Sequence, residues 1–472
     1  MPTLFHYQDV GAAWLAEKKK AILADEMGLG KTAQAIQACA LLDLHNILVI
    51  CPKTLIPTWR QEFALWQPHW TVGVVHGSTV ARHQQWSRWT RVAIVSYETF
   101  RSDFTEVAAI KWDGLIVDEA HRLRNRKART TRDVTTLART CPVTFLLTGT
   151  IVTNHPADVW PLLHIVDRGR FRSFWKFAEA HHVVYTTGFG WTVGPVINPD
   201  AYVETLQPYV LRRTKADVAT ELPSKIVIQE WLEPTEHQVA VQRQLLEDFY
   251  TQSNGHLTLV PTTIACMTRL RQAAIDPALI SGGGEGLEGP KVSRLLEIID
   301  EESRPVVVFS TFSSALHRLA STLQQRNRRV GVISAHTDIN ERSRLVGRLQ
   351  RSKLDVLLCG IKSGGVGLTL TAATTAVFLD KHWSPAINVQ AQDRLHRVGQ
   401  TEPVTIVELL TCGSIDEYVE SIVGTKRVHA DVVNDEASAG YGRWLSGFLE
   451  RVFARDDIVS QLIDKLDTVQ GV

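Results

Sequence analysis

A succession of short aliphatic and β-branched runs restricts the fold of this chain most: ILVIC (47–51), VAIVS (92–96), LIVDEA (115–120) and VTFLLTG (143–149), then PVVVFS (305–310), VGVIS (330–334), VLLCG (356–360), AVFLD (376–380) and TIVELL (405–410). They run continuously instead of alternating with polar residues, so both faces need cover. Helix-length amphipathic segments such as KTAQAIQACALL and SSALHRLASTLQQ lie between many of them. Strands covered on both faces and alternating with helices belong to the parallel sheets of an α/β fold. The runs form two sets, and SGGGEGLEGP (281–290), with neither an apolar face nor helix propensity, reads as a linker before the second. A chain of 472 residues has room for two or three domains.

Hydrophobic content of 44% and charged content of 21% are those of a globular protein in water. No apolar run is long enough to span a bilayer, and the N-terminal MPTLFHYQDV lacks the pattern of a secretory signal. The six cysteines are scattered without a C-x-x-C pair, so neither a zinc site nor a disulfide framework is expected, and a reducing cytoplasm fits. The net charge is only +1, so any nucleic-acid binding must come from local basic surface. The stretch RLRNRKARTTR (122–132), six Arg/Lys and no acid, is a candidate for it or simply a solvated face.

One stretch carries chemistry directly. AILADEMGLGKT (21–32) sets a GKT loop between an apolar strand and a helical segment. In such a loop backbone N–H groups and a helix N-terminus receive anionic oxygens. Gly28 and Gly30 let the backbone approach phosphates, Lys31 reaches the β/γ-phosphates and Thr32 ligates Mg²⁺. The full phosphate-loop pattern has a further glycine at position 25, where this chain has Asp25. VDEAH (117–121) then ends an apolar run with paired acids: Asp118 to hold hydrated Mg²⁺, Glu119 to orient and deprotonate a water. In QAQDRLHRVGQ (390–400), Arg394 and Arg397 are three apart and are placed on one helical face. They read either as a solvated, salt-bridged helix or as arginine fingers that stabilise charge on a transferring phosphoryl group.

Together DEMGLGKT, VICPKTLIPTWRQE (49–62), DEAH and LTGT (147–150) resemble motifs I, Ia, II and III of superfamily-two helicases, more narrowly the Swi/Snf-type ATPases. In the second half VVFSTF (307–312), SGGVGLTLTAA (363–373) and QAQDRLHRVGQ resemble motifs IV, V and VI. LRRTKADVATELPSK (211–225), LRQAAIDPALI (270–280) and HWSPAINVQ (382–390) also resemble segments of that family. The resemblance runs from about residue 4 to about residue 425. It departs at Ile151, Ile361 and Thr369, where the family usually has proline, threonine and asparagine.

The resemblance implies two RecA-like lobes with parallel sheets and an ATP cleft between them, plus a helical linker and C-terminal helices. The expected domains are residues 1–222, a helical connection with the Gly-rich linker at 223–290, a second lobe at 291–432, and a helical extension at 433–472 with Trp444, Leu445, Phe448, Val452 and Phe453 at helical spacing. The extension reads as a helix docked on the second domain or as a partner-binding helix. The implied cofactors are ATP and Mg²⁺. In HYQDVGAAWL, Gln8 is implied as an adenine contact; Met27, Gly28, Leu29, Gly30, Lys31, Thr32 and Gly367 complete the nucleotide set, with Thr32 and Asp118 on the metal. Thr148, Gly149, Thr150 and Gln390 are implied in coupling. DNA contacts are implied at Lys53, Thr54, Ser96, Tyr97, Arg122, Arg124, Ser310, Thr311, Ser363, Gly364, Gly365 and Trp383.

The partner implied is duplex or branched DNA bound without regard to sequence, with no membrane and no zinc. The sequence displays no inserted hairpin or aromatic platform for strand separation, so translocation on double-stranded DNA is expected, with remodelling of branched or protein-bound DNA. A strand-unwinding helicase and an ATP-gated DNA-binding subunit of a defence or restriction complex are the alternatives. No bromodomain, chromodomain or zinc module can be placed in the chain. The short region before LRRTK resembles the fork-remodelling and annealing-helicase subfamily. Such a compact motor suits a bacterium or a virus of bacteria, at the nucleoid, or the nucleus of a eukaryote.

Overall fold

The computed structural model describes residues 3–88, 90–149, 155–187, 190–218, 222–252, 260–281, 287–364 and 368–428. The expected extension at 433–472 lies outside the described residues. The chain divides into two units, residues 1–222 and 223–472. Among the described residues no helix is long and apolar enough to cross a membrane.

In the first unit the strands are β1 (Lys20–Leu23), β2 (Ile47–Cys51), β3 (Val72–Val74), β4 (Val92–Ser96), β5 (Gly114–Asp118), β6 (Val143–Leu147), β7 (His182–Thr187), β8 (Gly190–Val196) and β9 (Val210–Leu211). Seven of them form one sheet in the order β3-β4-β2-β5-β6-β1-β9, and every pairing in it is parallel. β2, β4, β5 and β6 are buried along their whole length, which is why their sequences are continuous aliphatic runs. Ile22, Ile50, Val95, Val117 and Leu146 join one core cluster, each contributing about 1.5–3 kcal/mol by leaving water. The register has a functional consequence. Leu23 of β1 and Asp118 of β5 both lie opposite Leu147 of β6, so the three strands end level. The segments after them therefore emerge together at the carboxyl edge of the sheet, where open α/β folds place their sites.

The second unit contains β10 (Lys225–Leu232), β11 (Val306–Ser310), β12 (Val330–Ile333), β13 (Val356–Gly360), β14 (Thr375–Phe378) and β15 (Val404–Thr411), in a parallel sheet ordered β10-β15-β14-β11-β13-β12. Phe309 and Phe378 pack at its centre with ring centroids 4.9 Å apart and planes tilted by 30°. Ser310 lies opposite Gly360, and Phe309 opposite Phe378, so β11 and β13 end level and β14 ends one residue earlier.

Two features differ from the sequence reading. The start of the stretch read as a helical connection is a strand: all eight residues of β10 pair with β15. Its sequence KIVIQEWL mixes charged and apolar residues because it is an edge strand with Ile226, Val227, Ile228 and Trp231 exposed, so it lacks the signature of a buried strand. Helices Glu236–Gln252 and Val260–Ile275 follow it. The second difference is an inserted hairpin, for which the sequence offered no Asn-Gly or Asp-Gly turn. β7 and β8 pair antiparallel and stand as a separate two-stranded sheet.

Candidate active site

β1 delivers the chain into the GKT loop. Gly28 and Gly30 adopt left-handed φ of 89° and 72°, and Gly30 caps the helix Lys31–Leu41. A Cβ on Gly30 would sit 2.3 Å from Gln8 Nε2 and displace that amide, while the left-handed backbone is what calls for glycine here. Lys31 Nζ donates to the loop's own carbonyls, Asp25 O at 2.7 Å and Glu26 O at 3.1 Å. Met27 reaches across to the segment after β6, where a Cβ on Gly149 would lie 2.5 Å from Met27 Cγ.

Asp25, the residue in the glycine's place, is fully buried and closes a network. Its Oδ1 accepts from Arg213 N (3.1 Å) and Nε (3.0 Å); its Oδ2 accepts from Arg213 Nη2 (2.5 Å) and Gln34 Nε2 (3.1 Å). Arg213 also donates to Tyr7 O and to Gln34 Oε1 (2.8 Å), and its guanidinium lies over the Tyr7 ring. Gln34 Nε2 and Gln8 Nε2 both donate to Leu29 O, at 3.1 and 3.3 Å. The loop is thus tied on one side to the helix His6–Lys18 and on the other to the segment after β9. Arg213, Gln34 and Tyr7 were missed as site residues; only the LRRTK resemblance pointed near Arg213.

The acid pair follows β5. Trp59 Nε1 donates to Asp118 Oδ2 (2.8 Å), and Glu119 N donates to Asp118 Oδ1 (2.8 Å). Glu119 has a left-handed φ of 52°, a strained conformation for a residue with a side chain. Burial, then the neighbouring Glu119 carboxylate, push the Asp118 carboxyl pKa above its ordinary range. His121, also overlooked, places Nδ1 3.2 Å from Glu119 Oε2 and 3.3 Å from Thr148 Oγ1, bridging the segments after β5 and β6. Trp59→Phe deletes a buried donor and leaves a smaller aromatic ring in its place. It is expected to cost about 1–3 kcal/mol in urea unfolding and to raise the Mg²⁺ concentration needed for half-maximal hydrolysis. An unchanged Mg²⁺ requirement would remove Trp59 from the site.

These residues fit Mg²⁺ with ATP. Among the described residues no group of three or more His, Cys, Asp or Glu could hold a metal ion. A single carboxylate, a Thr32 hydroxyl and substrate phosphate oxygens form the kind of sparse set that magnesium accepts, and a cation offsets the like-charge burden on Asp118.

In the second unit Asp380, just past β14, is the hub. It accepts from Ser310 Oγ (2.5 Å), Thr311 N (3.0 Å), Thr311 Oγ1 and Arg271 Nη2 (2.9 Å). Arg271 also donates to Lys381 O (2.5 Å) and lies over the Trp383 and Phe312 rings. The two arginines of QAQDRLHRVGQ do not share a helical face. The helix Pro385–Gln392, which carries Gln390, ends before them, and a series of turns follows. Gln400 Nε2 donates to Thr371 O, Ala373 O and Leu395 O, and Gly399 takes a φ of 100°, which folds the segment back on itself. Leu370 N donates to Arg394 O, and Arg397 Nη1 donates to Thr369 Oγ1 at 2.9 Å.

Comparison with known proteins decides the family. Residues 7–279 match the SNF2-related domain, and residues 290–399 match the helicase conserved C-terminal domain. The chain belongs to the SNF2-related family. By that membership it is a helicase-like ATPase built on an α/β fold. It is 29% identical over 473 residues to the DNA excision repair protein ERCC-6 of Mus musculus, covering 88% of this chain and 32% of that protein. It is 30% identical over 498 residues to the Chromodomain-helicase-DNA-binding protein 1-like of Danio rerio, covering 96% of this chain and 47% of that protein. The chain thus spans less than half the length of these relatives. A solved structure of the Sulfolobus solfataricus SWI2/SNF2 ATPase core in complex with dsDNA is 24% identical, covers 90% of this chain and 92% of that one, and has a TM-score of 0.44.

The residues expected to meet DNA in this SNF2-family chain separate into two kinds. Lys53, Arg122 and Arg124 are exposed, and Thr54 is half-buried in the turn after β2. Ser96, Tyr97, Ser310 and Thr311 instead serve internal partners: Ser96 Oγ caps the helix Tyr97–Ser102, Tyr97 OH donates to Asp118 O at 2.7 Å, and Ser310 and Thr311 both donate to Asp380. Their side chains hold the sheet edges together, because a polar group buried there needs an internal partner. Arg122 lies over the Tyr97 ring. Trp383 packs edge-on against Tyr418 and beneath Arg271. Ser363 and Gly364 lie in the short helix after β13; Thr150, Gly365 and Gly367 lie outside the described residues.

Proposed function

We propose that this SNF2-family ATPase is stimulated by DNA, translocates along the double-stranded form without reading sequence, and remodels branched or protein-bound DNA. The level ends of β1, β5 and β6 carry the reading, since they set the Lys31 loop, Asp118–Glu119 and Thr148–Gly149 at one edge. The first-turn N–H groups of the helix Lys31–Leu41 and the Lys31 ammonium bind the phosphates of ATP, with Gln8 and the backbone of Met27–Gly30 around the nucleotide. Thr32 and Asp118 would hold Mg²⁺, which when bound would supply positive charge against the nucleotide phosphates. Glu119 orients a water and takes its proton, and Arg394 and Arg397 of the second unit stabilise charge on the transferring group. His121, within reach of both Glu119 and Thr148, links the acid pair to the coupling segment Thr148–Thr150, with Gln390 as its counterpart in the second unit. Lys53, Thr54, Arg122, Arg124 and the backbone of Ser363–Gly365 contact phosphates, which position a protein on DNA without specifying sequence.

The test is the hydrolysis rate with no DNA, single strands, blunt duplex and forked duplex, each at a stated salt concentration. Duplex and fork are expected to stimulate most, and stimulation is expected to decline as salt rises. Stimulation by single strands alone, with strand displacement, replaces translocation by unwinding. No stimulation by any DNA favours an ATP-gated subunit that acts through a partner. Lys31→Ala is expected to lower turnover by at least about 10²-fold, the scale of one lost charge-stabilising donor, while leaving DNA affinity in place. Turnover within a few-fold of the unaltered enzyme would exclude Lys31 from phosphate binding.

A further inference from the structure

The hairpin β7–β8 has no part in the ATP site, and its chemistry is unusual for an exposed element. Residues 180–199 contain no Asp, Glu, Lys or Arg. Its outer surface nevertheless exposes Tyr185 (47%) and Trp191 (65%). A two-stranded sheet is marginal in water, so this one must be held at its base. His182 does that: it is buried, its Nδ1 lies 3.2 Å from Gly194 O, and its ring packs against His155, Phe177 and Tyr202. Tyr202 OH donates to Pro156 O at 2.8 Å. The base is therefore fastened to residues 155–156, which follow the coupling segment after β6.

Tyr185 lies opposite Thr192, and Trp191 opposite Thr186. Successive residues of a strand alternate faces, so the two rings occupy opposite faces of the ribbon. A protein-docking patch gathers its apolar groups on one face. Here Tyr185 stands beside the exposed Val183 on one face and Trp191 on the other, and rings on both sides of a narrow uncharged ribbon are the form of a wedge. Its neighbourhood is basic. The Arg126 guanidinium lies 4.0 Å from the Phe174 ring centroid and 5.7 Å from that of Trp175. Both rings begin the helix Phe174–His181, which runs directly into β7. The run at 122–132 and the hairpin are thus fixed to the two ends of one helix about 12 Å long, a length about three to four stacked nucleotides span.

We propose that the β7–β8 hairpin is a base-stacking element that engages unpaired bases where a DNA duplex opens, with Trp191 and Tyr185 as the stacking rings and the 122–132 run on the adjoining phosphates. This rests on the DNA-stimulated reading above and narrows its substrate to junctions with unpaired arms. Every base has a π-face, so such stacking tolerates any sequence.

The experiment compares the full chain with a Trp191→Ala/Tyr185→Ala variant. Both are titrated by fluorescence anisotropy with a fork carrying unpaired arms, an oligo-dT strand and a blunt duplex, alongside hydrolysis rates. The variant is expected to bind fork and single strand at least about tenfold more weakly and to lose the excess stimulation by fork over duplex. Its affinity for blunt duplex and the rate that duplex elicits should stay unchanged. Trp191→Phe/Tyr185→Phe, which keeps both rings, should recover most of the loss. Equal binding of the fork by the alanine variant and the unaltered chain overturns the proposal. So does an equal loss on fork and duplex, which marks a structural role. Loss of a protein partner with all DNA binding intact assigns the hairpin to protein docking and also overturns it. Absence of stimulation of the unaltered chain by any DNA is a different result, and it fails the underlying reading instead.

Discussion

An Arg397→Ala variant is expected to lose about 10³-fold or more of its ATP turnover, the lower bound of what a charge-stabilising arginine supplies in related phosphoryl transfers. ATP and DNA affinity should remain. Arg397 sits in the turns after the helix Pro385–Gln392, pinned where Gln400 Nε2 donates to three carbonyls. Its Nη1 donates to Thr369 Oγ1 at 2.9 Å, so one arm of the planar guanidinium is already oriented. Thr369 is one of the departures from the Swi/Snf pattern, and this bond gives the departure a physical role. Thr369→Ala removes one charge-assisted bond, so a loss of roughly tenfold is expected, well short of that for Arg397→Ala. Arg397→Lys keeps the charge but loses the fork, and should recover little. Single-turnover hydrolysis with nucleotide binding measured separately distinguishes chemistry from affinity. Retention of a tenth or more of the turnover by Arg397→Ala would end the assignment.

What the sequence disclosed depended on how local each feature is. The strands with continuous aliphatic runs were legible because burial on both faces leaves its mark within five residues, as in β2 and β5. β10 was not, since an edge strand with exposed apolar residues mixes them with charge. The loop and acid pair were legible as short motifs, but their supports were not. Trp59 meets Asp118 from 59 positions away, and Arg213 meets Asp25 from 188. No periodicity encodes such pairs. Arg394 and Arg397 at a spacing of three suggested one helical face, yet the helix stops at Gln392 because Gln400 and Gly399 draw the chain back. Ser310 illustrates a different limit. A hydroxyl at a strand end reads equally well as a phosphate contact or an internal donor, and only the position of Asp380 decides for the latter.

Arg213→Ala is expected to destabilise the first unit by roughly 3–5 kcal/mol, because it strips a buried carboxylate of its charged partner and leaves the other half in place. For a unit of this size, that loss lowers the thermal midpoint by roughly 6–20 °C. Asp25 would lose the two hydrogen bonds from the guanidinium and keep those from the residue-213 backbone N–H and from Gln34. The effect should reach the nucleotide. Arg213 also secures Tyr7 O and Gln34 Oε1, and Gln34 and Gln8 share Leu29 O, so the glycine loop and the helix carrying Gln8 loosen together. KM for ATP is therefore expected to rise even at temperatures where the variant stays folded. The pair is separated from simple packing by its double variant. Asp25→Ala/Arg213→Ala removes both charges and should be less destabilised than the sum of the two single changes by at least about 1.5 kcal/mol. Strict additivity, or a cost for Arg213→Ala below about 1 kcal/mol, would mean that the carboxylate in the glycine's place stands without help from the arginine. The left-handed glycines alone would then be shaping the loop.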